Sequence, residues 1–117
     1  MKIAIITYNQ PHLKTEQILL RLIHRGYKNI TIFAQPFIPR KTREFSFFHR
    51  PNMQNSTHLK NLCKWAKINF VEIDNFIEIS TRKFDFFLIG GSGLIPKEFV
   101  IKTVGRVINV HPGIIPL

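Results

Sequence analysis

The string DFFLIGGSGLIPKEFVIKTVGRVINVH, residues 85–111, contains a strand, a turn, a helix and a second strand in direct succession. Residues 85–90 form an apolar run that predicts a buried strand, and the glycines at 90, 91 and 93 predict a sharp turn. Pro96 suits the first position of a helix ending near residue 102, and residues 105–111 form another apolar strand. Both strands are apolar on both faces, which is typical of a parallel sheet covered by helices.

The residues before this unit continue the same alternation of strands and helices. We predict strands at residues 2–7, 29–34 and 69–73, and helices at residues 12–25 and from a cap at Asn55 or Ser56 to residue 67. Residues 35–55 form a long loop, and residues 75–83 favour a helix only weakly. The pattern predicts one α/β domain, residues 1–117, with a Rossmann-like parallel sheet, helices on both faces and strand order 3-2-1-4-5.

The composition favours some classes of protein and disfavours others. A hydrophobic fraction of 44% fits a globular domain. No apolar run approaches the ~20 residues of a membrane span, so we expect no membrane partner. The single cysteine, Cys63, fits a reducing cytoplasm and falls on the inward face of its helix, where a small buried hydrophobe is expected rather than a nucleophile. The five histidines show no metal-ligand spacing, so we expect no metal site.

The net charge of +10 is concentrated in one part of the chain. Residues 1–67 carry twelve Lys and Arg against two acids, whereas residues 68–117 carry five of each. Two predicted helices each carry a basic face. The first face is formed by Lys14, Arg21 and Arg25, and the second by Lys60, Lys64 and Lys67. These faces could bind an anionic partner such as RNA or a nucleotide-linked sugar, or could simply be solvated.

The glycine turn at 90–93 leaves two interpretations open. It is not a dinucleotide fingerprint, because that would follow the first strand, nor a nucleophile elbow, because Leu94 stands where the second glycine is needed. It could be an ordinary turn, or a place where a ligand approaches the backbone closely. Asn109 and His111 lie two residues apart at the end of the last strand, so both side chains should leave by one face and could stabilise an oxyanion. A capped strand end is the alternative.

Residues 84–97 together with Ile-Asn-Val-His-Pro-Gly-Ile-Ile-Pro at 108–116 resemble the 10-formyltetrahydrofolate-dependent formyltransferases. That family has an apolar strand, a turn ending in Ile/Leu-Pro, and then Asn-x-His-(Pro/Ala)-(Ser/Gly)-Leu-Leu-Pro. The resemblance implies that Asn109 and His111 are catalytic and that the folate lies against Ser92, Gly93, Leu94 and Ile95. It also implies a third catalytic residue, an Asp, beyond residue 117, so the domain is expected to be incomplete after its fifth strand and inactive alone.

The resemblance implies transfer of a formyl group from 10-formyltetrahydrofolate, as donor, to a substrate amine. The glycinamide ribonucleotide enzymes of the family carry a glycine-rich phosphate loop after the first strand, where this chain has Tyr8, Asn9, Gln10 and Pro11. An amine on an amino sugar, small or nucleotide-linked, is therefore favoured as acceptor, with tRNA as the other option. A catalytically inactive formyltransferase-like protein and a basic nucleic-acid-binding domain remain alternatives.

Overall fold

The computed structural model describes residues 1–36, 58–91 and 95–109, which form a five-stranded, all-parallel sheet of order β3-β2-β1-β4-β5. This is the predicted strand order. The strands and helices in chain order are β1 Ile3–Tyr8, α1 Leu13–His24, β2 Ile30–Gln35, α2 Leu59–Ala66, β3 Asn69–Glu72, a short 3-10 helix Phe76–Glu78, β4 Phe86–Ile89, α3 Lys97–Thr103 and β5 Val107–Asn109.

The centre of the sheet is apolar on both faces because helices cover both faces. On one side Ile3 and Ile5 of β1 pack with Leu19 of α1 and Cys63 of α2. Fully burying side chains of this size stabilises the fold by roughly 1.5–3 kcal/mol each.

The alternate residues of β1 form a second core on the opposite face. Ala4 and Ile6 belong to a cluster with Phe87 of β4 and Phe99 of α3. Phe87 and Phe99 meet edge to face at 5.2 Å between ring centroids. The prediction of helices on both faces of a parallel sheet is therefore confirmed.

Two predicted elements differ in detail. The described part of α2 begins at Leu59, and its cap is His58, whose Nδ1 accepts a hydrogen bond from the Lys60 amide at 3.1 Å. The predicted caps Asn55 and Ser56, like most of the predicted loop 35–55, lie outside the described residues. Residues 75–83 contain one turn of 3-10 helix rather than a full helix, and Asn75 and Glu78 form a capping box at its start.

Candidate functional site

The winding of the sheet reverses between β1 and β4. β1 pairs with β2 on one side and with β4 on the other, all in parallel. Connections leaving the carboxyl ends of β1 and β4 therefore diverge, which opens a crevice in folds of this type. Gly90 and Gly91 follow β4 at this edge, and the Gly90 amide still donates to the Ile6 carbonyl of β1 at 2.9 Å.

The first turn of α1 lies at this crevice, and hydrogen bonds connect it to the end of β1. The Nδ1 atom of His12 accepts from the Thr15 amide at 3.3 Å and lies 2.9 Å from the Thr15 hydroxyl. That hydroxyl is also 2.9 Å from the hydroxyl of Thr7 at the end of β1. These contacts join the end of β1 to the start of α1 through the side chains of Thr7, Thr15 and His12.

The first two glycines of the turn are required by this packing. A Cβ at Gly90 would lie 2.2 Å from the Thr15 hydroxyl oxygen, and one at Gly91 would lie 3.0 Å from Cε1 and Nε2 of His12. Of the two interpretations of the turn, close packing against α1 accounts for Gly90 and Gly91. The imidazole edge of His12 consequently faces the backbone that follows β4.

The structure describes two of the six predicted site residues. Asn109 is the exposed last residue of β5 and pairs in register with Ile89, so it lies beside the residue that precedes Gly90. Ile95 is half-buried against the core cluster that contains Phe87 and Phe99. The other four predicted site residues lie outside the described residues, and they are His111, Ser92, Gly93 and Leu94.

The sequence places Asn9 at this edge, directly after β1, but does not predict its pairing with Glu72 of β3. Asn9 follows β1, and its amide nitrogen donates to a carboxylate oxygen of Glu72, the last residue of β3, at 3.2 Å. The Asn9 side-chain oxygen is buried and accepts no hydrogen bond from any residue in the described ranges. A buried acceptor without a donor costs about 1–3 kcal/mol, which a ligand N–H or O–H would relieve. A polar residue directly after an apolar strand is the sequence signal that marks Asn9, whereas Glu72 is the last residue of its strand.

Two other reactive groups lie away from this edge. Asp85 precedes β4 at the opposite, amino end of the strands, where its carboxylate accepts from the Lys2 amide at 2.7 Å. Cys63 lies on the buried face of α2, and desolvation raises the pKa of its thiol from 9.0 to about 11. The environment of Cys63 suits a core side chain and disfavours a thiolate nucleophile.

One groove lined by described residues does not coincide with the candidate site. It has a volume of about 580 Å³ and lies between the chain at 75–82 and α3, with Phe76, Arg82 and Phe99 in its wall. Asn109, Ile95 and Gly91 are not in its lining. The chemistry-bearing side chains instead gather at the carboxyl edge, so groove size alone does not identify the site.

Comparison with known proteins finds no family model, curated protein or solved structure that matches this chain. Within residues 1–36, 58–91 and 95–109, no group of three or more His, Cys, Asp or Glu side chains is arranged to hold a metal ion. None of the helices in those ranges is long and apolar enough to cross a bilayer.

Proposed function

We propose that this chain forms the Rossmann-like part of a formyltransferase catalytic domain, which uses 10-formyltetrahydrofolate as donor and an amine as acceptor. The observation that carries the proposal is the position of Asn109. It ends β5 at the carboxyl edge, in register with the residue before the Gly90–Gly91 turn, within the stretch that resembles the family. In open α/β sheets ligands bind outside these strand ends.

The residues at this edge fit a flat, partly apolar ligand with polar groups. Ile95 offers apolar surface beside the turn, and Asn9 has a buried oxygen to which none of the described residues donates. The pterin ring of the folate carries N–H groups that could donate a hydrogen bond to the Asn9 oxygen. The donor supplies the formyl group, and Ser92, Gly93, Leu94 and Ile95 would form the wall against which it binds.

Asn109 would act on the charge that develops during transfer. When an amine attacks the formyl carbon, a C–N bond forms, the carbonyl oxygen gains negative charge, and the bond to the folate nitrogen then breaks as that nitrogen takes up a proton. The Asn109 amide N–H can donate to this oxygen, and His111 would be the second donor. Each such donor in a preorganised site is worth about 3–4 kcal/mol of barrier.

An amino sugar is the favoured class of acceptor, with tRNA as the other option. β1 ends at Tyr8, whose ring lies near His12, and Asn9 follows with a hydrogen bond to Glu72. This segment is therefore not a glycine-rich phosphate loop. The excess of basic residues suits a phosphate-linked acceptor of either class.

The test is formyl transfer by the natural gene product from 10-formyltetrahydrofolate to a panel of amino sugars and to aminoacylated tRNA. We expect turnover with one acceptor, and we expect Asn109→Ala to lower kcat about 10²- to 10³-fold with little change in the KM for folate. Asn69→Ala, an exposed asparagine at the start of β3, is the matched control and should retain full activity.

Two results would count against this function. Folate binding without transfer to any acceptor would assign the chain to a formyltransferase-like protein that has lost catalysis. A natural gene product that neither binds folate nor transfers a formyl group would refute the proposal entirely.

A further inference from the structure

A second surface lies at the opposite, amino edge of the sheet, where the strands begin. α1 and α2 both end there, because each helix runs antiparallel to the strands it connects. Thr31 of β2 pairs with Asn69 of β3, so Lys28 and Lys67, just ahead of these residues, come to the same edge. Neighbouring strands are ~4.8 Å apart, so the segments that carry the two lysines enter the sheet side by side.

The part of this edge formed by the ends of α1 and α2 carries cations without acids, whereas Asp85 lies farther along the edge, before β4. Residues 17–36 and 58–71 contain six Lys and Arg and no Asp or Glu. Arg25, Lys28, Lys64 and Lys67 are all exposed. Cations at helix C-termini favourably oppose the helix dipole, which accounts for Lys64 and Arg25 individually. The helix dipole does not explain why a large aromatic side chain is exposed beside these cations.

Trp65 is that residue, and 75% of its surface is exposed. An indole is among the most favourable side chains to bury, so its placement on the outer face of α2 forgoes packing energy. Its exposed neighbours on α2 are Asn61 and Lys64, both polar. A membrane or a protein partner would need more apolar surface around the indole than these neighbours provide.

We propose that Trp65, Lys28, Lys64 and Lys67 bind single-stranded nucleic acid, with the indole stacking on a base and the lysines contacting phosphates. Exposed aromatic rings within a basic surface are the combination that such binding uses. A base inside a duplex is already stacked and cannot reach the indole. This surface is separate from the edge that holds Asn109, and the inference stands independently of the formyltransferase proposal.

The chain contains one tryptophan, so its intrinsic fluorescence reports on this surface directly. The experiment titrates the 117-residue protein with oligo(U) and oligo(dT) 20-mers, the matching duplex and polyglutamate. We expect both single strands to quench Trp65 and to bind more weakly as salt rises. A stronger effect of oligo(U) than of oligo(dT) would identify RNA as the partner, and the reverse would identify DNA.

Variants separate stacking from charge, with binding measured by the anisotropy of a labelled oligonucleotide. Trp65→Ala should weaken binding about 5- to 100-fold, and Trp65→Phe should restore most of it. Lys64→Gln should lower the slope of log K against log salt by about 0.7. Lys97→Gln, an exposed lysine at the start of α3, is the matched control and should change neither quantity.

Three outcomes would overturn the inference. One is binding of either single strand without quenching of Trp65. Another is equal affinity for the duplex or for polyglutamate, which would indicate attraction by charge alone. The third is unchanged affinity in Trp65→Ala while circular dichroism shows the fold intact.

Discussion

Gly90 follows β4 directly and lies in close contact with Thr15 of α1. Its backbone occupies the space beside the Thr15 hydroxyl, and that hydroxyl also contacts Thr7 and His12. The absence of one side-chain carbon thus allows the first turn of α1 to lie against the end of β4. The shape of the carboxyl edge depends on this contact.

We predict that Gly90→Ala destabilises the protein by about 1–3 kcal/mol, because the added methyl group overlaps the Thr15 hydroxyl. Urea unfolding of a double-mutant cycle tests the cause. The cost of Gly90→Ala should be smaller in a Thr15→Ala background, since the overlapping oxygen has been removed. An identical cost in both backgrounds would show that the strain arises elsewhere.

The environment of Cys63 predicts its reactivity. Since desolvation raises the pKa of the thiol from 9.0 to about 11, the native thiolate fraction at pH 8 is about 100-fold lower than in the unfolded chain. An aromatic disulfide reagent at pH 8 should therefore modify native protein at least about 100-fold more slowly than protein in urea. Equal rates in the two conditions would contradict the buried assignment.

The same shift predicts the direction of a pH effect on stability. The unfolded thiol ionises first as pH rises, so the contribution of Cys63 is complete below about pH 9 and is lost between about pH 9 and 11. The free energy of unfolding should fall more over this range in the wild-type protein than in Cys63→Ala. Parallel pH profiles for the two proteins would contradict the shift.

At the scale of elements, Arg106 fixes the start of β5. Its guanidinium donates to the carbonyls of Thr81, Phe84 and Thr103, and its charge lies 5.7 Å from the centre of the Phe87 ring. One side chain thus ties β5 to the chain before β4 and to the end of α3. Because β5 is a three-residue strand, this anchor determines where Asn109 lies.

We predict that Arg106→Lys lowers the free energy of unfolding by about 2 kcal/mol or more, because an ammonium cannot reach three carbonyls as the planar guanidinium does. Arg82→Lys, an exposed arginine nearby in the chain, should change it by less than about 0.5 kcal/mol. Both values come from urea unfolding. Equal effects of the two substitutions would refute the anchoring role.

Apolar periodicity was sufficient to predict the strands and their order. Ile3–Tyr8 is buried almost throughout, and Phe86–Ile89 is buried at Phe87 and Ile89, because helices cover both faces. Right-handed crossovers then leave few arrangements. The local chemistry of helix ends was harder to predict. His58 caps the described α2 and His12 caps α1, although histidine is not among the residues usually favoured at caps. The single turn of 3-10 helix within 75–83 was likewise not predicted.

At the scale of the molecule, the two edges of the sheet differ in chemistry. The carboxyl edge gathers Asn9, His12, Glu72 and Asn109, and the amino edge gathers exposed cations around Trp65. The motif predicted that Asn109 lies at the end of the last strand, because a strand end can be located from one segment of sequence. It could not predict the Asn9–Glu72 pair or the exposure of Trp65, since both depend on contacts between distant segments.

The most direct test of the proposed folate site follows two asparagine side chains by NMR. Titration of the ¹⁵N-labelled 117-residue protein with 10-formyltetrahydrofolate should shift the side-chain amide signals of Asn109 and the backbone amide of Gly91. The side-chain amide of Asn69, at the opposite end of the sheet, should stay in place. Shifts at Asn69 and Trp65 instead, or no shifts at millimolar folate, would contradict the assignment of the carboxyl edge as a formyl-transfer site.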